Sequence, residues 1–134
     1  MKTYMTIVMS FIILTTGFGV NNALCQSGQI YTVLVQYFEA LRTGDTQQLK
    51  SLLSDELLIR RNETFSNPRY SEFLKSIYSQ VEFKVIDTTQ VYTDEINVDI
   101  EVISDSHEPI RETITFINKE GEWKLYKDRK DDGN

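Results

Sequence analysis

The sequence predicts an α+β domain in which three short helices lie in the hollow of a curved antiparallel sheet. Apolar residues recur at helical spacing between residues 29 and 78, and from Val81 onward the period drops to two. The two kinds of element are also segregated along the chain, helices first and hairpin-linked strands after, which is the α+β order and not a βαβ alternation. Three helices cannot cover a flat sheet of this length. The sheet must bend around them and leave a cone with an open mouth.

The first helix is expected over Gln29 to Arg42. Ile30, Val33, Leu34, Tyr37, Phe38 and Leu41 form one apolar stripe. Gly44 stands where a left-handed cap residue belongs. Asp45 then opens a second helix as N-cap, with Gln48 three residues on to complete a capping box. Leu49, Leu52 and Leu53 give it a buried side, and Ser54-Asp55 ends it. Glu56 to Asn62 reads as a short, irregular strand. Asn67 caps the third helix with Pro68 at its first position, where a missing N–H costs nothing; Tyr70, Phe73, Leu74, Ile77 and Tyr78 make its apolar face.

Phe83 and Val85 begin the first strand and share a side with Asp87. Ile96, Val98, Ile100 and Val102 alternate with Asn97, Asp99 and Glu101 on the second, so one face is buried and the other meets water or a partner chain. Ser104 to Pro109 is turn material, Ile110 to Ile117 the third strand, Asn118 to Gly121 a tight turn, and Glu122 to Tyr126 the last strand.

Residues 1–25 read as an export signal. Lys2 is the only charge before Glu39, an apolar run follows it, and Ala23-Leu24-Cys25 supplies small residues where a signal peptidase cuts. Three readings of this segment stay open: cleavage after Cys25, lipidation at Cys25, and retention as an anchor. The flanks favour cleavage. Asn22 and Leu24 fit a lipidation site poorly, and Tyr4 to Val20 is short of the ~20 apolar residues of a spanning helix. The expected organisation is a signal over 1–25, one domain over 26–127 and a polar tail over 128–134, in an exported protein of a bacterial envelope, periplasmic or secreted.

Composition excludes several functions. Cys25 is the only cysteine and His107 the only histidine, so neither a disulfide framework nor a cysteine- or histidine-rich metal site can be built, and no cofactor motif is present. The net charge of −6 lacks the clustered Lys and Arg that nucleic acid demands.

Val35-Gln-Tyr-Phe-Glu-Ala-Leu-Arg-Thr-Gly-Asp45, followed by Leu49-Lys-Ser-Leu-Leu53, resembles the nuclear transport factor 2-like superfamily, which includes SnoaL-like proteins. Many members carry a helix ending in A-x-x-x-G-D and then a short amphipathic helix. The closing Gly121-Glu-Trp-Lys-Leu125 is similar to their Trp-centred last strand. The resemblance spans residues 29 to 127 by element order. It implies the cone-shaped α+β fold and, for function, a small exported member. The fold hosts enzymes, carriers and adaptors alike, so chemistry has to be argued from the site. The resemblance implies that an enzyme on this scaffold places an Asp, or an Asp with His and Tyr, inside the cone as acid and base.

Two carboxylates qualify here. Glu112 shares parity with Ile110, Ile114 and Phe116, and a carboxylate on a buried face needs a partner, which Arg60, Arg61 or Arg111 can supply. Asp87 shares that reading. Asp99 points away from the apolar side, and His107 falls in an exposed turn. Aromatic residues converge between helices and sheet, either as plain core or as a pocket wall. The ligand-binding set expected from them is Tyr31, Phe38, Tyr70, Phe73 and Tyr78, with Phe116, Trp123 and the anchor Arg60.

The expectation is therefore a non-catalytic exported domain binding a small apolar ligand or a protein partner in or on its cone. The alternative is an isomerase or hydrolyase with Glu112 or Asp87 as base. A homodimer through the outer sheet face would involve Tyr92 and Ile117.

Overall fold

A computed structural model describes residues 20–128. The expected signal up to residue 19 and the tail beyond residue 128 lie outside the described residues. The chain divides into two compact units, residues 1–31 and 32–134. The described part of the first is the opening of helix α1 (Val20–Thr43), which starts earlier than the expected Gln29 and runs unbroken through the expected cleavage position. The second unit holds the rest of α1 and every other element.

In that second unit α2 (Thr46–Leu52) follows at once. Gly44 turns the chain with φ 66°, and Asp45 caps α2 by accepting the Gln48 N–H at 3.0 Å. The expected strand at Glu56–Asn62 does not form. The segment folds instead as two short helices, α3 (Asp55–Arg60) and α4 (Asn62–Ser66). Ser54 decides this. Its Oγ accepts the Leu57 N–H at 3.3 Å and its carbonyl the Leu58 N–H at 2.9 Å, while Asp55 and Glu56 sit in the first turn, where the helix dipole favours acid. Helix α5 (Tyr70–Tyr78) starts later than Asn67 as cap would have it, because Asn67 turns its Oδ1 onto the Arg69 N–H at 2.9 Å and Pro68 stays in the turn.

The four strands are β1 (Glu82–Tyr92), β2 (Glu95–Ser104), β3 (His107–Lys119) and β4 (Glu122–Asp128), antiparallel in sequence order. All three connections are two-residue turns. In the last, Glu120 and Gly121 both take positive φ, 56° and 86°, the conformation whose twist matches a hairpin. The first hairpin turn is tied to the end of β3, because the Asn118 N–H reaches the Asp94 carbonyl at 2.8 Å. Register shifts interrupt every strand pair. Such bulges bend strands and increase twist, so they let a four-stranded sheet curl. Pro109 falls in the shifted stretch of β3 between Ser104↔His107 and Val102↔Ile110, where a missing N–H costs no regular ladder bond.

The helices pack on the inner sheet face, which carries Ile96, Val98 and Ile100 from β2, Ile114 and Phe116 from β3 and Leu125 from β4, all buried. Leu34, Phe38 and Leu41 of α1, Leu49 of α2, Leu57 of α3 and Leu74 of α5 complete that core. Phe38 stacks on Phe83 with ring centroids 4.6 Å apart. Polar clamps hold the helices to the sheet: Arg42 donates to the Val81 carbonyl at 2.9 Å, Arg60 to the Tyr126 carbonyl at 2.7 Å, and the Ser54 N–H to the Leu125 carbonyl at 2.8 Å. On the outer face Thr113 donates to Asp99 at 2.6 Å and Thr115 to Asn97 at 2.8 Å, each across a directly paired position.

Candidate functional site

A cavity of about 440 Å³ opens between α1, the end of α5 and the β2–β3 hairpin. Helical geometry builds its floor. Tyr37, Phe38 and Leu41 stand on one side of α1 and are buried, with the Tyr37 and Phe38 rings edge to face at 5.4 Å. Ser76, Ile77 and Tyr78 close one side from the last turn of α5, and Val81 continues it. Strand alternation builds the opposite wall. Val102 of β2 pairs with Ile110 of β3, and Ile100 pairs with Glu112, so Glu112 sits on the inward face beside a fully buried isoleucine. Ser104, Ser106, His107 and Glu108 form the rim at the hairpin.

Two other concavities are of similar size, about 500 and about 510 Å³, and they differ in character. One lies over Leu53, Ser54, Lys119 and Lys124, the other beside Ile59, Arg60 and Tyr126. The lysines of the former are already paired. Lys119 meets Glu56 at 2.6 Å and Lys124 meets Glu122 at 3.3 Å. The Lys119 hydrogen bond holds the Glu56 carboxyl below its ordinary value, and Glu56 in turn raises the ammonium of Lys119. A floor of buried aromatic and aliphatic side chains with a polar rim is the better fit to a ligand site, and only the first cavity has both.

Of the residues the sequence nominated, Phe38, Tyr78 and Glu112 come together around this cavity. Phe116 is wholly buried in the core, and Trp123 is buried with its Nε1 unpaired among the described residues. Tyr70 and Phe73 stack on each other at 6.3 Å along α5 instead, and Phe73 is 55% exposed. Arg60 belongs to the groove at Tyr126. Tyr31 ends the first unit and is exposed.

Asp87 lies on the opposite side of the sheet. Phe83 and Val85 pair with Val102 and Ile100 of the inner face, and simple alternation would bring Asp87 inward with them. A bulge between Val85 and Asp87 inserts one residue, so Asp87 pairs with Asp99 of the outer face and Thr88 takes the inner position opposite Val98. Of the arginines expected as partners for Glu112, Arg60 is engaged at Tyr126 instead, and Arg111 pairs in register with Glu101 of the outer face.

His107 and its neighbours are the part of the site the sequence reading passed over. The expected turn of Ser104–Pro109 shrinks to Asp105-Ser106, which moves His107 from a loop tip to the first residue of β3, on the cavity rim. The signal was weak, because Ser104, Glu108 and Pro109 around the Asp105-Ser106 turn are poor strand formers.

No protein-family model matches the chain, and no curated protein matches it. Solved structures do. An NTF2-like protein of unknown function from Shewanella baltica OS155 superposes with a TM-score of 0.58 at 12% identity, over 78% of this chain and 91% of that one. An NTF2-like family protein from Streptomyces avermitilis, named as a candidate dehydratase, gives 0.52 at 18% identity over 75% and 91%. A Campylobacter jejuni protein named as a candidate NTF2-like transpeptidase gives 0.50 at 14% over 70% and 94%. The chain has the nuclear transport factor 2-like fold, as the residues around Gly44-Asp45 implied.

Proposed function

We propose that this protein is a non-catalytic binding domain that holds a small amphipathic molecule in the cavity between α1, α5 and the β2–β3 hairpin. The observation that carries this reading is the cavity itself: about 440 Å³, within the ~300–1,000 Å³ range of small-molecule sites, with Tyr37, Phe38 and Leu41 beneath and Ser104, Ser106 and His107 around the opening. Native mass spectrometry of protein purified from its own host tests it. A small molecule retained by the wild type and lost from Ile110→Trp, which fills the cavity from its exposed wall, supports the reading. A wild-type chain at its bare mass that also takes up none of a panel of added amphiphiles contradicts it. The same spectrum reads out the homodimer expected through the outer sheet face.

A second reading has one observation in its favour. Glu112 and His107 line the same cavity, a carboxylate on the wall and an imidazole at the rim, which is the raw material of proton transfer. As an isomerase or hydrolyase the protein would use Glu112 as base, and turnover of a carbonyl substrate lost in Glu112→Gln would establish it. Export rests on residues 1–25, and N-terminal sequencing of chain recovered from the cell envelope, starting at Gln26, is its test.

A further inference from the structure

The sign of charge around the cavity narrows what it takes. Two lining side chains are carboxylic acids, Glu108 at the rim and Glu112 on the wall, and among the described residues no lysine or arginine lines it. The cations close by in sequence are directed elsewhere. Arg42, one residue beyond Leu41, is engaged by the Val81 carbonyl at 2.9 Å and by Glu39 at 3.2 Å. Arg111 lies between Ile110 and Glu112 and alternates to the outer face opposite Glu101. Among the described residues, Glu108 and Glu112 form no ion pair. Among the described lining residues His107 is the one group able to carry positive charge.

The rest of the lining agrees with the acids. Tyr37, Phe38 and Tyr78 present aromatic rings, and a ring face attracts a cation. An anionic headgroup would meet two like charges in a partly water-excluded site, where repulsion is stronger than in bulk water. A cationic headgroup would meet two opposite charges and have aromatic faces for its alkyl body.

We infer that the ligand is a cationic amphiphile, an apolar body carrying a protonated amine or quaternary ammonium group, with its head between Glu108 and Glu112 and its body over Phe38 and Leu41. This rests on the cavity being the binding site.

A matched series of decyl compounds tests it on the full chain by isothermal titration: decylamine, 1-decanol and decanoate. Decylamine is expected to bind about tenfold more tightly than 1-decanol, from one partly screened charge pair at close range, with decanoate weakest of the three. In Glu108→Gln/Glu112→Gln the amine-to-alcohol affinity ratio is expected to fall toward one. The wild-type ratios are decisive even if that variant does not fold. Decanol binding as tightly as the amine, or decanoate binding most tightly, overturns the inference and leaves the cavity reading standing. If no decyl compound binds, both fall together.

Discussion

Asp87 stands directly opposite Asp99 across the β1–β2 pair, two carboxylates facing each other on the outer side of the sheet. Like charges at paired positions destabilise a sheet, and here each acid is held by a separate donor: the Thr88 N–H at 2.8 Å from Asp87 Oδ1, and the Thr113 hydroxyl at 2.6 Å from Asp99 Oδ1. Asp87→Asn keeps the acceptor for Thr88 and removes the repulsion. Thermal unfolding is expected to rise slightly, by about 0.2–1 kcal/mol of stability. Ligand affinity should not change, because the residue is on the far side from the cavity. A large loss of affinity in Asp87→Asn would return this residue to the site.

Gly44 joins α1 to α2 with φ 66°, and the Ser71 hydroxyl of α5 donates to its carbonyl at 2.7 Å. A Cβ at this position would lie 2.5 Å from the Ser71 backbone oxygen. Gly44→Ala therefore meets two separate penalties. The left-handed backbone alone costs about 1–2 kcal/mol for a residue with a Cβ, and the collision with a backbone atom adds to it. The variant should unfold at clearly lower denaturant with an unchanged m-value. A midpoint equal to wild type would show that the junction is not as tight as described.

The Glu56–Lys119 pair makes a pH-dependent contribution where α3 meets the end of β3. The Glu56 carboxyl is lowered from its ordinary 4.5 by the hydrogen bond from Lys119, so its contribution is present above that value and fades as pH falls through the folded-state pKa. Lys119 is raised from 10.5 by the same bond, so its share is present below that value and is lost as pH climbs past the folded-state pKa. Both groups are exposed and water screens them, so the effect on stability is small. Carboxyl-detected NMR should place the Glu56 titration midpoint below 4.5, and Lys119→Met should bring it back up. A midpoint unmoved by Lys119→Met would mean that the bond is not populated in solution.

Much of this fold is legible in local pattern because local pattern reports burial. The alternation Ile96, Val98, Ile100 on β2 and the stripe Leu34, Phe38, Leu41 on α1 are one-sided because each element has one buried face. The run Leu57-Leu58-Ile59 has no such period, since three residues make less than one helical turn, and only Leu57 is fully buried while Ile59 is 77% exposed. What fixes it as helix is the capping by Ser54, itself tied to Leu125 some seventy residues later, a contact no local window contains. Glu112 was readable as inward because β3 keeps its alternation from Ile110 to Ile114. Asp87 was not readable as outward, because one inserted residue at a bulge reverses the side chains that follow, here as far as the second bulge after Gln90, and leaves no mark in composition.

The account turns on occupancy of the cavity beside Phe38, and amide chemical-shift mapping during titration with decylamine tests it most directly. The predicted result is a set of saturable shifts confined to Tyr37, Leu41, Tyr78, Val102, Ile110 and Glu112, with the outer-face amides of Asn97, Asp99 and Thr113 unmoved. Saturable shifts centred instead on the outer face near Tyr92 and Ile117, with the cavity amides silent, would contradict it.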